Sequence, residues 1–369
     1  MFDTVIIGGG IGGSASALRA AQNGLKGLWV LGSKKTRKQS RSQWVMNLDN
    51  IVGFHEDIIK EQVIKTLKKH KQDEAVSILE NEHYQINNRM LIKNTVQRLE
   101  KEYPHFKIVD GVVSHLRKME SGFEVTYHDE TVQSVSIVLT TGVMDEQPSL
   151  LKRNRKGDME ETPKWIYPFA NREQVLYCIR CEGHLTKNDQ VAVFGSTNTA
   201  GELAMMLHER YQNKVFIITN GKTLEISADR MNILKHYGVE IISEPIIDLQ
   251  SEGVKQLRGF VFEKHENVEV KFALVSMGLH RVYNDLAREC GARLMDEDQP
   301  VEKRHVRINH KGETSVPGLF AVGDMVKRED EPVMKQIYTA QEYAVRAVDT
   351  IDSRRRKIIR KSAQNTTGE

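Results

Sequence analysis

The sequence predicts an α/β protein made of two Rossmann-type dinucleotide-binding domains, the second inserted into the first. Three observations carry this reading. The chain opens on an apolar strand, a glycine-rich turn and a small-residue helix. A second strand–turn–helix, "QVAVFGSTNTAGELAMML", begins at Gln190. The segment "TSVPGLFAVGDMV" near the C-terminus then returns to strand character, so the first fold closes only late in the chain. A chain of 369 residues is long enough for two cores of about 150 residues each. The expected division is 1–142 with 276–369 for the first domain, and 143–275 for the second.

Taken in order, the opening "FDTVIIGGGIGGSASALRAAQNGLKGLWVL" reads as a strand near 3–7, a turn, a helix with Ala and Leu on one face, and a strand near 27–31. Its turn, Gly8-Gly9-Gly10-Ile11-Gly12-Gly13, contains GxGxxG at Gly8, Gly10 and Gly13. The first glycine permits the turn, the second lets a pyrophosphate approach the backbone, and the third lets helix pack on strand. Apolar residues at i, i+4 spacing (Ile58, Ile59, Val63, Ile64, Leu67) predict a helix over 56–69, and another is expected over 90–103. Between 106 and 139 the period changes to that of four short strands, with a turn at Glu120-Ser121-Gly122. The polar stretch 143–170 reads as linker or surface loop. Strands follow in "KVFIITNG", "VEIIS", "LRGFVFE" and "VEVKFALVSMGLH", and a last helix is expected over 333–353.

Composition excludes several classes. A net charge of +3 gives no reason to expect nucleic acid, and no apolar run approaches the roughly 18 residues of a membrane span. The one basic cluster, "RRRKIIRK" at 354–361, reads as a solvated, frayed helix end. Strand character begins at once, without a basic leader, so the protein is expected to be cytoplasmic. Three cysteines do not make a disulfide framework, and in a reducing compartment a CxxC is more often metal-binding or redox-active. The pair lies in "YCIRCEGHL". Cys178, Cys181 and His184 together could be half of a zinc site, though no second pair completes four ligands; a dithiol–disulfide pair and an idle surface pair are the other readings. Cys290, alone in "NDLARECGARL", reads as a buried core thiol on an amphipathic helix.

The order of these motifs resembles the low-molecular-weight thioredoxin reductases: GxGxxG, "LTTG" at 139–142, CxxC followed by an acid and glycine, a second GxGxxA-like turn, and "GLFAVGD" at 318–324. The resemblance covers nearly the whole chain, with 32–46 and 143–170 matching poorly. It implies domains in three-layer ββα form, FAD in the first domain, a thioredoxin-like protein or small disulfide as substrate, and a homodimer. Carried over residue by residue, Gly8 to Gly13 would cradle the FAD pyrophosphate and Asn50 would lie near the flavin. Thr141-Gly142 would form the crossover, Asp324 after Gly323 would bond the ribityl chain, and Lys335-Gln336-Ile337 would cap the ring. Cys181 would face the flavin, Cys178 would attack the partner disulfide, and Glu182 would protonate the released thiolate. Arg180 would favour the thiolate, and His280 would pack at the return to the first domain.

Two departures stand out. The acid that usually ends the second strand and holds the adenosine ribose is missing from Gly32-Ser33-Lys34-Lys35-Thr36. In the second turn, Gly195-Ser196-Thr197-Asn198-Thr199-Ala200, Thr197 replaces the middle glycine, and Lys222 and Arg230 do not reproduce the family's arginine cluster for NADPH. The electron donor is therefore open among NADPH, a protein donor such as a ferredoxin-like partner, and a reaction with oxygen as acceptor. A non-catalytic redox sensor or scaffold is the reading from another class.

Overall fold

The computed structural model covers the whole chain and describes residues 1–366 except 47, 49, 54–55, 82–86, 154–155, 158, 254–255, 330 and 332–333. The chain divides into two compact units, Met1–Gln43 with Arg89–Met144 and Leu279–Glu369, and Trp44–Asn88 with Asp145–Gly278.

The first unit is built on the parallel strands Lys107–Val109, Gly27–Val30, Phe2–Ile7, Glu130–Leu139 and Leu319–Ala321, adjacent in that order. The long strand Glu130–Leu139 serves two partners. Its first half pairs antiparallel with Phe123–Tyr127, and its last three residues pair with Leu319–Ala321. Alternation along the strands splits the core by face. Ile6 and Trp29 pack with Ala17, Ala20, Ala344 and Ala347 of helices Ile11–Gln22 and Ile337–Thr366. Val5, Ile7, Leu28 and Val30 pack with Leu116, Phe123 and Val125 of the antiparallel arm. This is the layering the sequence predicts, and the four strands expected between 106 and 139 are all present.

The second unit carries a five-stranded parallel sheet in the order Val175–Leu176, Phe272–Val275, Gln190–Phe194, Lys214–Ile218, Glu240–Ile242. Helix Asn198–Tyr211 buries Ala200, Ala204 and Leu207 against Val191, Val193 and Ile217.

Four expectations need correction. Residues 143–170 are not a surface loop. Strands Leu150–Arg153 and Met159–Thr162 form a hairpin, and Trp165 is buried against Phe194 and Phe260 with its indole N–H donating to Pro148 O at 2.9 Å. Residues 44–88, expected with the first domain, group with the second, because Trp44 stacks on Tyr167 with ring centres 4.3 Å apart. The terminal helix runs on to Thr366, and the first three arginines of its basic cluster are partnered, whereas Lys357, Arg360 and Lys361 are exposed. Arg354 pairs with Glu313, Arg355 with Asp3 at 3.2 Å and Arg356 with Asp352 at 2.8 Å. Helix Asp285–Glu289 is short, and Cys290 ends it half-buried, its thiol pushed up to about 11 by burial with Glu289 adding to the effect. Among the described residues no helix is long and apolar enough to cross a membrane.

Candidate active site

The first turn shows why each glycine is there. A Cβ on Gly8, which sits at φ +124°, would stand 2.3 Å from Thr140 O, and one on Gly13 would stand 2.0 Å from Gly8 O. These two are required by the close approach of strand, turn and helix. At Gly10 a Cβ would meet nothing within 4 Å, so the room at this position lies outside the protein. Gly10 caps helix Ile11–Gln22 with no side-chain bond, and Ser14 is the first residue to donate back, to Gly10 O at 2.9 Å. The N–H groups before Ser14 are the orphan donors of a helix start, with the positive dipole end behind them. The geometry fits a dinucleotide pyrophosphate. Two residues that the sequence did not single out brace the turn: Trp29 donates its indole N–H to Gly8 O at 2.8 Å, and Thr140 its hydroxyl to Ile7 O and Gly8 O at 2.9 Å.

The other residues expected around FAD in this unit lie after strands Glu130–Leu139 and Leu319–Ala321 and at the start of the last helix. Thr141 donates its hydroxyl to Tyr283 O at 2.6 Å, and Tyr283 N–H returns to Gly142 O at 3.0 Å, which ties the crossover together. Asp324 follows Gly323 directly after strand Leu319–Ala321 and faces Arg41, Nε to Oδ2 3.7 Å, with side chains only 22% and 12% exposed. Lys335, buried Gln336 and Ile337 stand at the start of the last helix.

In the second unit, Cys178 and Cys181 are joined as a disulfide with Cα atoms 5.3 Å apart. Cys178 caps the short helix Ile179–Glu182 and is partly exposed, whereas Cys181 is 7% exposed. Glu182 is 2% exposed, and its Oε2 accepts the N–H groups of Tyr177 at 3.0 Å and Cys178 at 3.1 Å. The acid therefore braces the strand-to-helix bend that presents the first sulfur. Asn50 reaches Cys181, Nδ2 to Sγ 3.7 Å. Tyr177, whose hydroxyl meets Gln147 Oε1 at 2.5 Å, packs at a tilt against Trp44. Arg180, His184 and His280 are exposed.

The second turn keeps its frame and changes its mouth. Gly195 is demanded by packing, since a Cβ would meet Ser276 O at 2.5 Å and Ala200 Cβ at 2.7 Å. Thr197, at the position of Gly10, caps the helix with its side chain exposed. The outer edge of the turn is taken by the chain itself: Glu225 N–H donates to Ser196 O at 2.6 Å, Thr197 and Glu225 form a parallel bridge, and Ser227 N–H donates to Asn198 Oδ1 at 2.8 Å. Arg230 is held by Glu202 at 2.6 Å. Asn220, where a ribose-binding acid or an arginine cluster would begin, is bonded to Ser149 O and Ile246 N, both at 2.9 Å. Lys222 is exposed. The mouth of this turn thus differs from the bare glycine mouth of the first.

Residues 2–344 match the family model described as pyridine nucleotide-disulphide oxidoreductase. Pseudomonas aeruginosa has an alkyl hydroperoxide reductase subunit that is 22% identical over 326 residues, covering 88% of this chain and 53% of that protein. Thioredoxin reductase of Aquifex aeolicus is 27% identical over 221 residues, covering 55% of this chain and 62% of that one. The chain thus spans about half the length of the first relative and under two thirds of the second. The crystal structure of thioredoxin reductase from Streptococcus pyogenes MGAS5005 shares the fold, with a TM-score of 0.70 at 17% identity over 95% of this chain and 97% of that one. The chain belongs to the pyridine nucleotide-disulphide oxidoreductase family, whose members bind FAD, and its fold is thioredoxin reductase-like.

Proposed function

We propose that this family member is an FAD-dependent dithiol–disulfide oxidoreductase that passes electrons to a thioredoxin-like protein or small disulfide through Cys178 and Cys181. The observation that carries the reading is the Cys178–Cys181 disulfide, one sulfur reachable and one buried, braced by the carboxylate of Glu182. Gly8–Gly13 with Thr141, Gly142, Asp324 and Lys335–Ile337 would hold FAD, which when bound supplies two-electron chemistry able to reduce a disulfide.

In the reduced chain, the Cys178 thiolate attacks a sulfur of the partner disulfide. The partner S–S bond breaks, a mixed disulfide forms, and the first partner thiolate leaves and takes a proton. The Cys181 thiolate then attacks Cys178 Sγ, re-forming the internal disulfide and releasing the second partner thiolate. The two electrons lost by the chain's dithiol are those gained by the partner. Glu182 is the acid assigned to the departing thiolate, and its bonds to the N–H groups of Tyr177 and Cys178 hold the motif's bend while it acts.

The closed mouth of the second turn favours a donor other than NADPH, with a low-potential protein as the donor class. An anaerobic dithionite titration tests the whole reading. Uptake of roughly four electrons per chain, two into flavin and two into the disulfide, is expected. Uptake of only two, or none, would support a scaffold or sensor instead.

A further inference from the structure

The second strand ends without the acid that usually holds the adenosine ribose, and the structure offers a carboxylate from the neighbouring strand. Leu31 N–H donates to Val109 O at 3.0 Å, so Asp110 leaves the sheet beside Gly32, at the same carboxyl edge. The glycine turn borders this edge too, because a Cβ on Gly9 would stand 2.4 Å from Leu31 O. Gly9, Gly32 and Asp110 therefore follow three adjacent strands in order. In this fold the pyrophosphate lies at the first of these strand ends and the adenosine runs outward across the second. Asp110 is about one strand spacing, ~4.8 Å, beyond the usual position of the acid.

Asp110 is also held in place. His128 Nε2 bonds its carbonyl oxygen, and Arg37 Nη1 bonds its Oδ1 at 2.9 Å, the Asp110 side chain remaining 61% exposed. Arg37 belongs to the short helix Lys34–Arg37, which Ser33 starts by accepting Thr36 N–H at 3.2 Å. An ion pair this exposed adds little stability, and its effect here is to hold the Asp110 carboxylate toward the segment that follows the second strand. It also neutralises the one arginine of this helix, which disfavours a phosphorylated ribose at the same place.

We infer that Asp110, aimed by Arg37, is the group that accepts a hydroxyl hydrogen bond from the adenosine ribose of FAD. The assignment rests on FAD occupying the first turn. It is tested by titrating apoprotein with FAD and with FAD carrying 2′-deoxyadenosine, in the native chain and in Asp110→Ala, following flavin fluorescence. Native apoprotein is expected to bind FAD roughly ten- to hundredfold more tightly than Asp110→Ala does, the loss of one charge-assisted hydrogen bond. The deoxy analogue is expected to lose affinity in the native chain and nothing further in the variant. Asp110→Glu should recover most of the affinity. Equal FAD affinity in native and Asp110→Ala, or penalties of mutation and analogue that simply add, would overturn the assignment while leaving FAD binding intact. Failure of native apoprotein to bind FAD at all would instead remove the proposed function beneath it.

Discussion

The two glycine turns share a frame and differ in what stands at their mouths. In each, the leading glycine donates its N–H to the next strand, Gly8 to Val30 O at 2.9 Å and Gly195 to Ile218 O at 3.2 Å. In each, the last small residue lets the helix sit on the turn. The middle position differs most: Gly10 borders open space, whereas Thr197 carries an exposed side chain and bridges to Glu225. The outer letters of GxGxxG therefore report strand–helix packing, which persists whether or not a nucleotide binds. The middle letter reports the ligand.

The largest effect should come from exchanging these roles within the first turn. Gly10 has an extended backbone, φ −87° and ψ −169°, which any residue can adopt. As apoprotein, Gly10→Val should melt at an unchanged temperature, yet it should hold FAD at least about a hundredfold more weakly, because the branched side chain stands where phosphate meets bare N–H groups. Gly13→Ala should do the reverse damage and lose about 3 kcal/mol of stability from overpacking against Gly8 O. Circular dichroism melts and flavin content measured on both variants check the pair. A folded, fully flavinated Gly10→Val would break the comparison.

Removing either Cys178 or Cys181 as serine should abolish disulfide reductase activity while leaving FAD in place, since both sulfurs are needed for exchange. Their exposure separates them: brief alkylation of the reduced protein should label Cys178 several-fold ahead of Cys181, as peptide mass spectrometry would read. Glu182→Gln keeps an oxygen for the two N–H groups and loses the transferable proton, whereas Glu182→Ala loses both. If Glu182 only braces, the Gln variant should retain full activity; if it also donates the proton, its rate should fall by roughly a hundredfold.

Opening the second turn should change much less. Thr197→Gly removes the branched side chain but leaves the Glu225–Ser196 bond, the Arg230–Glu202 pair and the Asn220 anchors in place. NADPH should still reduce the flavin only at millimolar concentration, with affinity improved by less than about tenfold, ~1.4 kcal/mol. Saturation at micromolar NADPH in the native chain would show that Lys222 and its neighbours form a working site.

How far the sequence disclosed this arrangement depends on the range of each contact. Helix Glu56–Lys69 was legible because its signal is local and periodic. The hairpin and Trp165 cluster within 143–170 were not, because two four-residue strands and an indole packed on Phe260, 95 positions away, leave no period to read. The grouping of 44–88 was hidden for the same reason, resting on Trp44 against Tyr167 and Asn50 against Cys181. The missing ribose acid was legible as an absence. Its replacement was not, because Asp110 reaches the edge only through the pairing of Lys107–Val109 with Gly27–Val30.

The smallest predicted difference between the units is their response to acid. In the first unit, Asp296 is held below its ordinary 3.8: burial resists its ionisation, but hydrogen bonds from Lys327 and His305 outweigh it. Glu313 lies below 4.5 in the same way, burial being overcome by Arg354 and by Gly318 N–H. His305 is held below 6.5 by burial, with the Asp296 bond pulling the other way. All three bind fewer protons folded than unfolded, so each stabilises the fold above its unfolded value and loses that contribution as pH falls through its folded one. The first unit should weaken from about pH 6.5 downward through His305 and again below about pH 4.5 through the two carboxylates. In the second unit Glu244 is lowered, chiefly by the Lys264 N–H bond, but it is exposed, so its contribution is screened. Hydrogen exchange between pH 7 and pH 4.5 should therefore rise first in peptides from 296–327 and later in those from 190–218. The reverse order would mean that the buried Asp296–His305–Lys327 group does not govern acid stability, and Arg354→Gln, which strips Glu313 of its partner, should move the lower limb of the first unit's loss toward neutral pH.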